Sequence, residues 1–208
     1  MIKFVSSFPR RQQHRRLRRA AASGAAGLAA CVLVVIAAVT GTWAVAAAVL
    51  LAAVGLLVDA RRWQRLAARS RIGARSEDAV RQALAVLEAE GWRLRHSLAY
   101  GGRGDIDSVA IAPTGIAFAI ETKTKRFERR HVAALREIAV WLYRRRRQWC
   151  RRGAFPVLCV VRARAVERID DGVLIVSLDR LVPALRASAR TSPRPAFLGS
   201  NVRHRCAL

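Results

Sequence analysis

The chain has 208 residues, with 38 Lys and Arg against 14 Asp and Glu and a formal net charge of +24. Hydrophobic residues make up 53% of it, which excludes a disordered basic tail, because such tails lack the apolar content to fold. Thirteen Gly and four Cys exclude a collagen-like chain and a disulfide framework. High charge and high hydrophobicity in one short chain imply that the two are segregated along it.

The first segregated block is residues 20–58, a run of 39 positions without a charged side chain. One membrane crossing takes roughly 20 apolar residues, so the run is too long for one upright span and suits two. The stretch Thr40-Gly41-Thr42-Trp43 breaks it, offering a tight turn and an interfacial Trp. Lys3, Arg10, Arg11, Arg15, Arg16, Arg18 and Arg19 precede the run; Arg61, Arg62, Arg65, Arg69, Arg71 and Arg75 follow it. Positive charge marks the cytoplasmic side, and positive charge at both ends requires an even number of crossings. The expectation is a multi-pass protein of the cell membrane, with helices near 21–39 and 42–58 and both termini cytoplasmic. A signal peptide does not fit, since its apolar core runs only about 7–15 residues. One long tilted span is an alternative. A buried soluble hairpin is disfavoured because the run has no polar face at helical spacing. Gly24, Gly27, Gly41 and Gly55, among many Ala, suit close helix packing.

Arg dominates the basic residues, with Lys only at positions 3, 123 and 125. That skew is what coding bias in a GC-rich, bacterial genome would be expected to leave. A net charge of +24 still attracts nucleic acid and anionic membrane lipid. Cys31, Cys150, Cys159 and Cys206 show no paired spacing and read as unlinked thiols.

From residue 73 the pattern changes to a mixed α/β domain. Ser76 is placed to cap a helix, with Glu77 and Asp78 in its first turn, Val80, Leu84 and Leu87 at helical spacing, and Gly91 as its stop. Trp92, Leu94, His96 and Leu98 alternate with polar residues as in a half-buried strand. Residues 105–112 and 116–123 read as two strands joined by the turn Pro113-Thr114-Gly115. An amphipathic helix follows over 128–149, carried by Val132, Leu135, Ile138 and Leu142. Residues 156–161 read as a buried strand, 173–176 as another after the Asp171-Gly172 turn, and 179–187 as a closing helix with Pro183 in its first turn. The order is α-β-β-β-α-β-β-α.

Chemistry concentrates on the hairpin of residues 104–123. Strand side chains alternate faces with period two, so Glu121 and Lys123 share a face, as do Asp105 and Asp107. A three-residue turn pairs Ala112 with Ile116 and makes the numbers of paired residues sum to 228. Asp107 then falls opposite Glu121, and Asp105 opposite Lys123; a slip of one residue would break this cluster. Two carboxylates facing across a ladder repel one another. A divalent cation is the obvious reason to keep them, and carboxylate oxygens plus water suit Mg²⁺ or Mn²⁺. Lys123 would offset charge on a phosphate in the transition state or orient the attacking water.

The run G-D-I-D-S-V-A-I-A-P-T-G-I-A-F-A-I-E-T-K resembles the core motif of the nuclease-related domain (NERD) family of the PD-(D/E)XK nuclease superfamily. The resemblance covers about residues 73–187 and is strongest over 104–123. It implies a restriction-endonuclease-like α-β-β-β-α-β core in an α/β mixed-sheet fold, here preceded by two transmembrane helices. It also implies metal-dependent cleavage of phosphodiester bonds, of DNA in the first instance. On this resemblance Asp107, Glu121, Lys123 and Glu77 are the catalytic residues, with Asp107 and Glu121 as metal ligands and Asp105 as a lesser candidate. Ser76 stands where the family has a second Gly before the helix acid, and Thr124 where it has Asn. Nucleic acid would meet Arg103, Lys125, Arg144, Arg145, Arg146 and Arg147. The alternative is a catalytically silent, membrane-tethered module that binds nucleic acid or acts as a scaffold. The organisation expected is a basic N-terminus (1–19), a membrane hairpin (20–60), a basic linker (61–72), the nuclease-like domain (73–187) and a flexible basic tail (188–208). His131 reads as a surface helix residue rather than a catalytic base.

Overall fold

The computed structural model describes residues 8–102 and 104–191, with side chains from residue 13 onward. Arg103, residues 1–7 of the basic N-terminus and residues 192–208 of the expected tail lie outside the described residues. The chain divides into two compact units, Met1–Ala74 and Arg75–Leu208.

The first unit is a helical hairpin. Helix α1 spans Phe8–Val39 and helix α2 spans Trp43–Ala85. Gly41, at φ 75°, takes the left-handed backbone the turn demands, and the Thr42 amide donates to the Ala37 carbonyl at 2.9 Å. Both helices are long and apolar enough to cross a membrane, with mean hydropathy of 2.4 and 2.2 over their most apolar windows. They outrun the expected spans at 21–39 and 42–58, and the segment expected as a linker, 61–72, is helical. The reason is visible along α2: Ala46, Ala53, Ala60, Ala67 and Ala74 are all buried and recur every seventh residue. Such a repeat keeps one small-residue seam turned inward over many turns, and Ala, Arg and Leu between these positions are strong helix formers.

This continuity changes the role of Ser76. It sits inside α2 instead of capping a helix, and its hydroxyl is hydrogen-bonded to Thr124 Oγ1 at 3.0 Å. After α2 a 3-10 turn, Glu88–Glu90, ends at Gly91 with φ 81°.

The second unit holds a six-stranded mixed sheet. Its strands are β1 (Arg93–Ala99), β2 (Asp105–Ile111), β3 (Ile116–Lys123), β4 (Gly153–Val160), β5 (Glu167–Asp170) and β6 (Val173–Ser177), in the order β1-β2-β3-β4-β6-β5. The first three are antiparallel neighbours; β4 runs parallel to β3 and to β6. Helix α3 (Arg129–Arg145) connects β3 to β4, and α4 (Leu178–Thr191) closes the unit. The mixed α/β class is as expected. Strand β5 is the addition: all four of its residues are exposed, and it pairs only with β6, so it has no buried face to announce it.

The sheet buries both faces. Val80, Leu84 and Leu87 of α2 and Leu181 and Leu185 of α4 pack with Phe118, Ile120 and Val157 on one face. Leu142 and Ala139 of α3 pack with Val109, Ile111 and Ala119 on the other. Helix α3 stops at Arg145, before the expected Trp149, because the chain turns to pack Trp149 and Cys150 beneath it. Helix α4 begins at Leu178 and reaches Thr191, so Pro183 lies in its second turn rather than its first.

Candidate functional site

The register of the β2–β3 hairpin is the expected one. Ser108 pairs with Ile120, Val109 with Ala119, Ala110 with Phe118 and Ile111 with Ala117. The ladder stops there, so Asp107 and Glu121 do not form the direct cross-strand pair expected for them, and Asp105 pairs with Ala99 of β1 rather than with Lys123. In place of a ladder bond, the Thr122 amide donates to Asp107 Oδ2 at 2.7 Å. The carboxylate takes a backbone donor of the neighbouring strand and holds the two strands at the point where they part.

The same point carries a change of face. Ile106 packs in the cluster of Val109 and Ile111, which strict alternation along β2 would forbid. On β1 the pairing passes from His96–Ser108 to Leu98–Ile106 and omits Ser97. Ser97 has φ 52°, an uncommon backbone for a residue with a Cβ. The alternation therefore breaks in both strands at Ser97 and Asp107, and side chains from opposite faces of the sheet can meet there.

Four of the expected site residues share one electrostatic neighbourhood. Glu77, from α2, is only 8% exposed. Its carboxyl is pushed up to about 7, first by burial and then by the charges of Glu121 and Asp78, against the lowering effect of Arg81 and Lys123. Asp107 is half-buried, and its carboxyl is held well above the usual range by burial, then by Glu121 and Glu77, with the Thr122 amide and Lys123 opposing. Lys123 Nζ donates to Glu121 Oε1 at 2.7 Å. Asp105 is not among the charges that act on Asp107. Asp107 thus feels the charges of both Glu121 and Glu77, with Lys123 acting on Asp107 and Glu77 and Arg81 on Glu77.

Two residues of this neighbourhood are additions to the sequence reading. Arg81 donates from Nη2 to Ser97 Oγ at 3.0 Å and lies 3.6 Å from Glu77 Oε2. Its spacing of four from Glu77 on one helix was the available signal. His96 Nδ1 is hydrogen-bonded to Ser108 Oγ at 2.8 Å, and burial drives its ring down to about 4. His131 is a capping residue: the Glu128 amide donates to its Nδ1 at 2.9 Å at the start of α3.

Among the described residues, no group of three or more His, Cys, Asp or Glu side chains is arranged to hold a metal ion. Mg²⁺ commonly takes one or two carboxylates and fills its octahedron with water and phosphate, so the hard oxygens of Asp107 and Glu121 still fit such an ion. Cys150 and Cys159 are unsuited to that work. Both thiols are free and buried, and burial pushes each up to about 12.

Of the residues expected to meet nucleic acid, Lys125, Arg144, Arg145 and Arg147 are exposed. Arg146 is half-buried, 5.0 Å from the Trp149 ring centre, and Arg147 stands 5.8 Å from that of Tyr143. A cleft of about 320 Å³ opens at the other end of the hairpin, between the Pro113–Gly115 turn, Arg93, Gln148 and Arg151. It contains none of the four site residues.

Residues 72–158 match the family model of the nuclease-related domain, NERD. The match runs from α2 into β4 and takes in Glu77, Asp107, Glu121 and Lys123, so the resemblance drawn from the hairpin is borne out. No curated protein and no solved structure matches the chain.

Proposed function

We propose that this protein is a membrane-anchored, nuclease-like hydrolase that cuts phosphodiester bonds of DNA with the help of Mg²⁺ or Mn²⁺. The observation that carries the reading is that Glu121 and Glu77 both act on the carboxyl of Asp107, beside Lys123 and where β2 and β3 part, within the segment matching the nuclease-related domain. Burial and repulsion both disfavour the charged forms of Asp107 and Glu77, penalties for which the fold alone has no structural use. A divalent cation relieves both penalties.

Asp107 and Glu121 would hold the ion, with Glu77 alongside. A bound cation would supply Lewis acidity at this point. The chain's own groups do the rest. The Thr122 amide fixes the Asp107 carboxylate. Arg81 restrains Glu77 from the next turn of α2. Lys123, held by Glu121 in the absence of substrate, has a mobile ammonium able to turn to a phosphate oxygen and offset the charge that grows there. Lys125 and the arginines at the end of α3 would retain the DNA backbone. Two apolar helices would anchor the protein, with both termini on the cytoplasmic side.

One observation favours a silent binding module instead. Lys123 and Glu121 satisfy one another at 2.7 Å, which is also how a structural ion pair looks. Calorimetric titration of Mn²⁺ into the full chain in detergent separates the two. The hydrolase reading expects saturable binding that Asp107→Asn abolishes. Binding that survives Asp107→Asn, or no binding by the unsubstituted chain, supports the silent module.

A further inference from the structure

The membrane-proximal end of the helical hairpin carries a feature the hydrolase reading does not use. Residues 13–74 contain nine arginines and one acid, Asp59. That acid is already engaged, accepting from Ser23 Oγ at 2.8 Å. Arg16 serves the hairpin itself, donating to the Leu66 carbonyl at 2.9 Å and to Ser70 Oγ at 2.6 Å. Arg15, Arg18, Arg19, Arg61, Arg62 and Arg65 are exposed. They stand, as a collar of charge, on two paired helices whose buried seventh-residue alanine seam includes Ala60 and Ala67.

We propose that the collar is a binding surface for the anionic headgroups of phospholipids. The proposal rests on the reading of the hairpin as a membrane anchor. Its depth is what selects the ligand. Residues 15–19 and 61–65 each rise about 6 Å along a helix. A headgroup layer is about 5–8 Å deep on each side of the hydrocarbon core, so one layer brackets both sets at once. Aromatic residues mark the same boundary. Arg19 lies 4.9 Å from the ring centre of Trp63, and Trp63 stands 20 positions after Trp43 on α2, about 30 Å of helix and the thickness of a hydrocarbon core. A DNA duplex also carries phosphates, but it is too wide to enter a headgroup layer beside an embedded helix. Lipid phosphate is the anion available at that depth.

The test uses the full chain in vesicles of mixed phosphatidylglycerol and phosphatidylcholine. Mild extraction is followed by native mass spectrometry of the retained lipid. The expected result is enrichment of phosphatidylglycerol that falls as salt rises. A combined Arg61→Gln, Arg62→Gln, Arg65→Gln variant should lose enrichment by roughly fivefold per arginine removed, while the matching Arg→Lys variant keeps most of it. The proposal is overturned by a carbonate-resistant chain that shows no enrichment, by enrichment indifferent to salt, or by enrichment intact in the Gln variant. Loss of oligonucleotide binding in the Gln variant with lipid enrichment intact would assign the collar to nucleic acid. A chain stripped from vesicles by carbonate overturns the anchor reading itself, and this proposal with it.

Discussion

Replacing Glu77 with Gln isolates the electrostatic cost of the carboxylate cluster. The Glu77 carboxyl has an ordinary value of 4.5 and is raised to about 7 in the folded protein, mainly by burial. A carboxyl raised by folding binds its proton more tightly in the native state than in the unfolded one. Stability therefore falls as pH rises through the interval from 4.5 to about 7. At 1.36 kcal/mol per pKa unit the loss is at most about 3 kcal/mol, fully developed above pH 7. His96 acts in the opposite sense: its ring is driven from 6.5 to about 4, so its share of stability grows as pH rises between those values. The profile of the unsubstituted protein sums these opposed contributions with that of Asp107, whose carboxyl is also raised by burial, so only the difference between proteins is diagnostic. Without divalent cations, Glu77→Gln should match the unsubstituted chain near pH 4 and exceed it increasingly, by up to about 3 kcal/mol, above pH 7. Urea denaturation of the full chain in detergent, read through hydrogen exchange of the β2 and β3 amides, measures that difference. Parallel profiles from pH 4.5 to 8 would refute the claim that Glu77 is desolvated among like charges.

Other consequences follow from single positions. Reporters fused ahead of Ala20 and after Val58 should report the same, cytoplasmic side of the membrane; opposite sides would rule out the hairpin. Gly115 has φ 83°, and a Cβ there would meet Arg151 Cβ at 3.2 Å, so Gly115→Ala should destabilise the second unit by about 1–2 kcal/mol in the same urea experiment. Phe118 is 1% exposed and stacks on Trp92 at 5.9 Å between centroids. Phe118→Ala should cost about 3–5 kcal/mol, and a loss below 1 kcal/mol would show that the sheet face is not packed as described.

Legibility followed the strength of local constraints. The β2–β3 hairpin was readable to the residue because a three-residue turn and an apolar face together fix register. The face change at Ser97 and Asp107 was not. It depends on a left-handed serine and on a carboxylate capturing the Thr122 amide, and neither leaves a trace in an apolar pattern. Glu77 was found through a family motif, but the reason it reaches the hairpin lies in the uninterrupted α2. A cap at Ser76 was the natural reading of Ser-Glu-Asp, and the alanine repeat that carries the helix through it starts far upstream at Ala46. Strand β5 escaped because Glu167–Asp170 is held by backbone bonds alone and buries nothing. Arg81 was legible in principle, as a cation four residues from a buried acid.

The most direct test of the hydrolase reading is cleavage of a labelled DNA duplex by the full chain, unsubstituted and as Glu121→Gln, with DNA retention measured in the same samples. Gln keeps the volume of Glu121 but removes the charge that would hold the cation and position Lys123. The account predicts Mg²⁺-dependent cleavage that falls by orders of magnitude in Glu121→Gln, while retention through the arginines persists and stays salt-sensitive. Equal cleavage by the two proteins, or retention without any cleavage by the unsubstituted chain, would contradict it.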